Sequence, residues 1–234
     1  MESLDETFDL KNTNAFKNYL EMQLKAHNVN GISGALIAPT LYEADVQADC
    51  KQNNLLEKSI IPFVAGRSNT EENLEMDSST WLQFASISKT VGAAYAIELF
   101  QELDISLDSS VNHILTKYGS SFKLLSSSGN HSWGDDVTFR MLLSHTAALG
   151  MHYVNGIPLE EEFPPVLDLL NGKPDKDYGY EGVSVQEPPG LHFAYSGASF
   201  LVLQHVLEII ENKTIAECLR LFIQDDEGKR LNYR

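Results

Sequence analysis

Phe84-Ala-Ser-Ile-Ser-Lys-Thr90 is the stretch on which the reading of this chain turns. Within it, Ser86-Ile-Ser-Lys89 sets a serine three residues before a lysine. On a helix that spacing puts both side chains on one face, one turn apart. The lysine amine can then take the hydroxyl proton, and a helix N-terminus favours the negative charge that develops. The spacing alone is weak. With 21 serines and 12 lysines in 234 residues, about one such match is expected by chance, and there are two. The second, Ser120-Ser-Phe-Lys123, sits in the polar stretch Tyr118 to Gly129 with no helix start nearby, and reads as the coincidence. The plain alternative for Ser86 is a helix cap beside a solvated lysine.

Outward from this heptapeptide, the N-terminal side carries Phe16, Tyr19, Leu20 and Leu24 at helical spacing, which predicts a helix over Asn14 to His27. Two strand-like runs follow, Gly31 to Ala38 and Ser59 to Gly66, separated by a polar segment, Pro39 to Lys58, that is long for a hairpin loop. Gly31 and Gly34 fit a strand edge. On the C-terminal side, Ser86 to Leu103 is Ala-rich and helical in pattern, and a short helix is expected within Asp136 to Ser144 with Thr138 as its cap. Met151 to Gly190 is rich in Gly, Pro and acid and reads mostly as loop, with a short apolar stretch at Val166 to Leu170. Gly197 to Glu211 and Thr214 to Ile223 read as the last helices. Strands first and helices afterwards favour α+β over an alternating α/β sheet.

Composition narrows the function. Hydrophobic residues at 43% and charged residues at 21% allow a buried core and exclude a disordered chain. Asp plus Glu number 33 against 17 Lys plus Arg, a net charge of -16 whose field repels phosphate backbones and anionic lipid, so no nucleic-acid partner is expected. Cys50 and Cys218 stand far apart outside any C-x-x-C pair, which suggests neither a disulfide framework nor a zinc ribbon. No apolar run approaches the ~18 residues of a membrane span. The acidic start, Met1 to Leu10, shows no secretory h-region, so a cytoplasmic location is expected, or a periplasmic or secreted one if a signal was removed. The seven histidines form no His-Glu-x-x-His and no paired-carboxylate pattern, so no metal or cofactor is expected. Asn130-His-Ser132 and Asn212-Lys-Thr214 are glycosylation sequons by pattern only, and Leu159-Glu-Glu-Glu-Phe163 is most simply a solvated face.

Four ordered segments carry a resemblance. Phe84 to Thr90 resembles the nucleophile motif of the serine β-lactamase and D-alanyl-D-alanine carboxypeptidase family, in its class C-like branch. Glu102 to Val111 is similar to the family's stretch after the nucleophile helix. Val137-Thr-Phe-Arg-Met-Leu-Leu-Ser-His-Thr146 resembles its T-x-x-x-L-L-x-H-T signature, and Pro189-Gly-Leu-His-Phe-Ala-Tyr-Ser-Gly197 its P-G-x-x-F-x-Y-S-N segment. The likeness runs from about Phe16 to Phe222. Four signatures in order are far more specific than one.

The resemblance implies a β-lactamase/transpeptidase-like α+β fold: an antiparallel sheet with only the two early strands present, plus a mostly helical domain. Residues 1–80 would hold the N-terminal helix and first strands, and residues 81–234 the helical domain. It implies Ser86 as nucleophile, Lys89 as its proton partner and Tyr195 as general base or proton shuttle. A tyrosine with pKa about 10 is a poor base unless a nearby cation favours its phenolate, and Lys89 could be that cation. His145, in the Leu-Leu-x-His-Thr segment, is assigned to support of the fold. The implied activity is acyl transfer on an ester, a D-Ala-D-Ala-type amide or a β-lactam, with a small-molecule or peptide substrate. Two departures stand out. Tyr195-Ser196-Gly197 replaces Tyr-x-Asn, which argues against efficient β-lactam hydrolysis. Also, no Lys/His-Thr/Ser-Gly follows Tyr195 in these 234 residues. The resemblance places the second oxyanion donor on that late strand, so a C-terminal segment or second chain is expected to complete the sheet. The competing reading is a truncated or degenerate β-lactamase-like domain that binds without catalysis.

Overall fold

The computed structural model describes residues 13–37, 60–129, 132–150, 160, 162–172 and 182–223. The chain divides into two compact units, Met1–Gln83 and Phe84–Arg234.

In the first unit, helix α1 (Thr13–Ala26) precedes three antiparallel strands in the order β1 (Gly31–Ile37), β2 (Ile60–Asn69) and β3 (Leu74–Glu75). The helix and both expected strands are present; Ala38, Pro39 to Lys58 and Ser59 lie outside the described residues. Among the described residues a third, short strand joins the two expected ones. Past Gly66, β2 runs on to Asn69, whose Oδ1 accepts the N–H groups of Glu71 (2.9 Å) and Glu72 (3.0 Å) and turns the chain back. The returning strand is two residues long, too short to show any alternation in sequence. Glycine at position 34 has a packing reason. A Cβ there would meet the Phe63 ring at 2.5 Å, and that ring also lies edge-on to Phe16 of α1, centroids 5.2 Å apart.

The second unit holds a 3-10 turn (Ala85–Ile87), α2 (Ser88–Glu102), α3 (Val111–Lys117), α4 (Trp133–Asp136), α5 (Phe139–Leu143), α6 (Val166–Asn171), α7 (Gly197–Glu211) and α8 (Ile215–Phe222). α7 is its centre. Ala198, Val202, Leu203, Val206 and Leu207 are all buried, and the helix packs on α2, α5, α6 and α8. Each such side chain contributes roughly 1.5–3 kcal/mol when fully buried. Phe100 of α2 and Phe139 of α5 meet across the same core, centroids 4.5 Å apart.

Local chemistry explains where these helices begin. Thr138 caps α5 as expected, its hydroxyl accepting from Met141 N–H at 3.3 Å. Thr214 and Glu217 form a reciprocal capping box that opens α8. Val166 to Asn171, expected within a loop, is instead α6: Pro165 supplies the extended entry, Leu169 and Leu170 are buried, and Gly172 ends the helix at φ 79°. Its apolar run was too short to reveal a helical period. Ser86 is likewise corrected, since it lies in the 3-10 turn ahead of α2 and not in the α-helix itself.

Candidate active site

Ser86, Lys89 and Tyr195 converge. Tyr195 Oη donates to Ser86 Oγ at 2.8 Å across 109 residues of sequence, and Lys89 Nζ donates to the same oxygen at 3.2 Å. Ser86 is exposed, while Lys89 and Tyr195 are half-buried. The serine and lysine meet because a 3-10 turn running into α2 still places residues i and i+3 on one side. Directly before the nucleophile candidate, Ala85 holds φ 44°. This left-handed conformation is unfavourable for alanine and is of the kind that clusters at functional sites.

Tyr195 is held from a distant loop. Segment 145–150 follows α5 and lies against 184–194 through backbone hydrogen bonds: Gln186 N–H to Ala148 O (2.9 Å), Gly190 N–H to Thr146 O (2.7 Å) and Ala194 N–H to His145 O (2.9 Å). Pro189-Gly190 makes the turn, with Gly190 at φ 88°, where a Cβ would meet the Met141 side chain at 3.1 Å. Two of the sequence signatures are therefore one structural unit, and it delivers Tyr195 to the start of α7. The Lys89 ammonium lies 5.3 Å from the Tyr195 ring centroid and 5.7 Å from that of Phe200. Hydrogen bonding from Lys89, and then from the Ser86 hydroxyl, holds the Tyr195 phenol below its ordinary pKa, against the smaller opposing effect of burial.

The profile of the Beta-lactamase family matches residues 51–221. The chain belongs to the Beta-lactamase family. No curated protein matches it in sequence. Among solved structures, D-amino acid amidase from Ochrobactrum anthropi SV3, complexed with D-phenylalanine, superposes with a TM-score of 0.60 at 15% identity, covering 89% of this chain and 47% of that one. A penicillin-binding protein homolog from Caulobacter crescentus superposes with a TM-score of 0.51 at 13% identity, covering 92% and 47%. Identities this low speak to fold alone. This chain spans about half the length of these solved chains.

Within this family member, the other candidates fall outside the cluster. Ser120 lies in irregular chain after α3. Its Oγ accepts from Phe122 N–H (3.0 Å), donates to Phe122 O (3.3 Å) and contacts His205 Nε2 at 2.8 Å. Gly197 is the first residue of α7 and brings no side chain beside Tyr195. Among the described residues no group of three His, Cys, Asp or Glu could hold a metal ion, and no helix is long and apolar enough to cross a membrane. Residues 151–159, with His152, and Asn130-His131 lie outside the described residues. Sequence reasoning missed the place of His145. Its ring stacks on that of Tyr195, centroids 4.4 Å apart and tilted by 37°, although it was assigned only to support of the fold.

Proposed function

We propose that this protein is a serine hydrolase acting by acyl transfer, with Ser86 as nucleophile, Lys89 as the cation that tunes the site and Tyr195 as the group that exchanges the proton. One observation carries the reading: an exposed serine hydroxyl receives both a lysine ammonium and a tyrosine phenol. At 2.8 Å the Ser86–Tyr195 contact serves either protonation state, the phenol donating to Ser86 or Ser86 donating to the phenolate. In the second state Ser86 Oγ attacks a carbonyl carbon, its proton passes to Tyr195, and the same proton then goes to the leaving group. Water releases the acyl group by the reverse route. Lys89 is the group that favours the phenolate. The N-cap positions of the 3-10 turn and of α2 are Phe84 and Ile87, neither of which makes a side-chain cap bond, and this supports a role for Ser86 other than a plain helix cap.

The substrate class is an acyl compound with an accessible carbonyl: an ester, a D-Ala-D-Ala-type amide or a β-lactam. The test is a fluorophosphonate probe followed by intact-mass measurement and peptide mapping. Ser86 should carry the label and Ser120 none. Lys89→Ala and Tyr195→Phe should each slow labelling by roughly 10²–10⁴-fold, while Ser88→Ala, rotated about 100° around the helix, should change it only a few-fold. Labelling at Ser120, no labelling of a folded chain, or equal losses for all three variants would refute this reading.

A further inference from the structure

The loop after α5 does more than pack. His145 sits at φ 56°, which turns its backbone carbonyl toward Ala194 N–H (2.9 Å) while its ring reaches the amide two residues on, where Nδ1 accepts from Ser196 N–H at 3.2 Å. The two contacts clamp the backbone on either side of Tyr195. The imidazole face lies on the phenol ring at 4.4 Å, with Phe200 of α7 at 5.6 Å and Phe193 edge-on at 6.1 Å. A platform this close restricts the swing of the Tyr195 ring and so keeps Oη aimed at Ser86.

We propose that His145 is a positioning residue for Tyr195, effective only while its ring is neutral. The inference rests on the acyl-transfer reading above only for its kinetic consequence. The backbone N–H of Ser196 points at Nδ1, and a hydrogen bond there needs an unprotonated nitrogen. A proton on Nδ1 removes the acceptor, turns N–H against N–H and breaks the clamp on the Ser196 side of Tyr195, leaving only the backbone bond at Ala194. Among the described residues, the titratable groups that face the ring are Lys89, from the start of α2, and Tyr195 itself; Phe193 and Phe200 are uncharged. Burial, followed by the Lys89 charge, holds the His145 imidazole below its ordinary pKa against a smaller opposing effect of the Ser196 backbone, so the neutral form persists at neutral pH and is lost on acidification.

The experiment has two arms on the full chain. In the first, NMR follows the His145 and Tyr195 ring resonances through an acid titration. The Tyr195 signals should move at the His145 midpoint, and in His145→Asn that inflection should vanish. The first arm needs no activity, so it stands even if Ser86 proves inert. Tyr195 signals that ignore the His145 titration overturn the proposal. In the second, fluorophosphonate labelling of Ser86 is timed against pH. Asparagine keeps an acceptor near the Nδ1 position and tolerates positive φ, so His145→Asn should retain labelling within about 10-fold of wild type and lose the acid limb of the pH profile. His145→Ala, lacking acceptor and platform, should fall by roughly 10²-fold at unchanged probe KM. Variants that melt like wild type and keep both its rate and its acid limb also overturn it.

Discussion

Replacing Asn112 with alanine should cost more stability than any other single polar truncation in the helical unit. Asn112 is 5% exposed and Leu124 1%. The Asn112 Nδ2 donates to Leu124 O (2.9 Å) and to Asp135 Oδ1 (2.9 Å), while its Oδ1 accepts from Leu124 N–H (2.8 Å). Asp135 is exposed and finds water when the amide is removed. The two Leu124 backbone groups do not, because Gly134 lies so close to the Leu124 carbonyl that even a Cβ there would overlap it. Two buried backbone groups left unpaired cost about 1–3 kcal/mol each, so the loss is roughly 2–6 kcal/mol. That is a large share of the 5–15 kcal/mol typical of a whole domain. Urea titration followed by circular dichroism measures it as a lower midpoint at unchanged slope. Asn112→Asp discriminates further: it keeps the acceptor for Leu124 N–H, cannot donate to Leu124 O, and sets a second carboxylate beside Asp135. It should do no better than alanine. A loss below about 1 kcal/mol for Asn112→Ala would mean that Leu124 finds other partners, and the reasoning would fail.

Other outcomes follow from single groups. Ser199 on α7 is 1% exposed, and its hydroxyl is buried without a partner, so Ser199→Ala should raise stability by about 1 kcal/mol; a drop of that size in the urea midpoint analysis would contradict it. Burial holds the His205 imidazole below its ordinary pKa, so the unfolded chain takes up this proton first. The contribution of His205 is complete above about pH 6.5 and declines as pH falls below it, by at most ~1.4 kcal/mol per pH unit. His205→Gln should flatten that part of the profile, and stability that rises on acidification would exclude the assignment. Burial also raises the Cys218 thiol pKa, beside the Tyr95 phenol. Its reaction with a disulfide reagent should therefore track global unfolding, and rapid labelling of Cys218 itself in the folded chain, read by peptide mapping apart from Cys50, would contradict this.

What could be read in the sequence was what local spacing encodes. Ser86 and Lys89 are an i, i+3 pair, so a helix-like turn suffices to join them. α7 announced itself through an unbroken apolar face, and α8 through Thr214 followed by Glu217. Tyr195 was legible only through its resemblance to a family segment, because nothing local ties it to Ser86. The misses share a cause. β3 and α4 are too short to show a period, and α6 was hidden in a Gly- and Pro-rich stretch. The 3-10 turn with its left-handed Ala85 is set by what surrounds it and not by the residues themselves.

The placement of Tyr195 shows why such sites resist a local reading. It depends on backbone hydrogen bonds between segments 145–150 and 184–194, and any residue type except proline can make these. The constraint that reaches the sequence is conformational: a glycine at position 190 with φ 88°, and His145 and Ala148 at φ 56° and 54°. Alanine is an unlikely choice for a left-handed position, so no pattern of preferences would have marked that loop. Histidine at 145 is the exception in the set, because its ring adds a directed acceptor for Ser196 N–H and a face for the phenol. Another residue could satisfy the backbone there, but few could do that and also hold Tyr195 against Ser86.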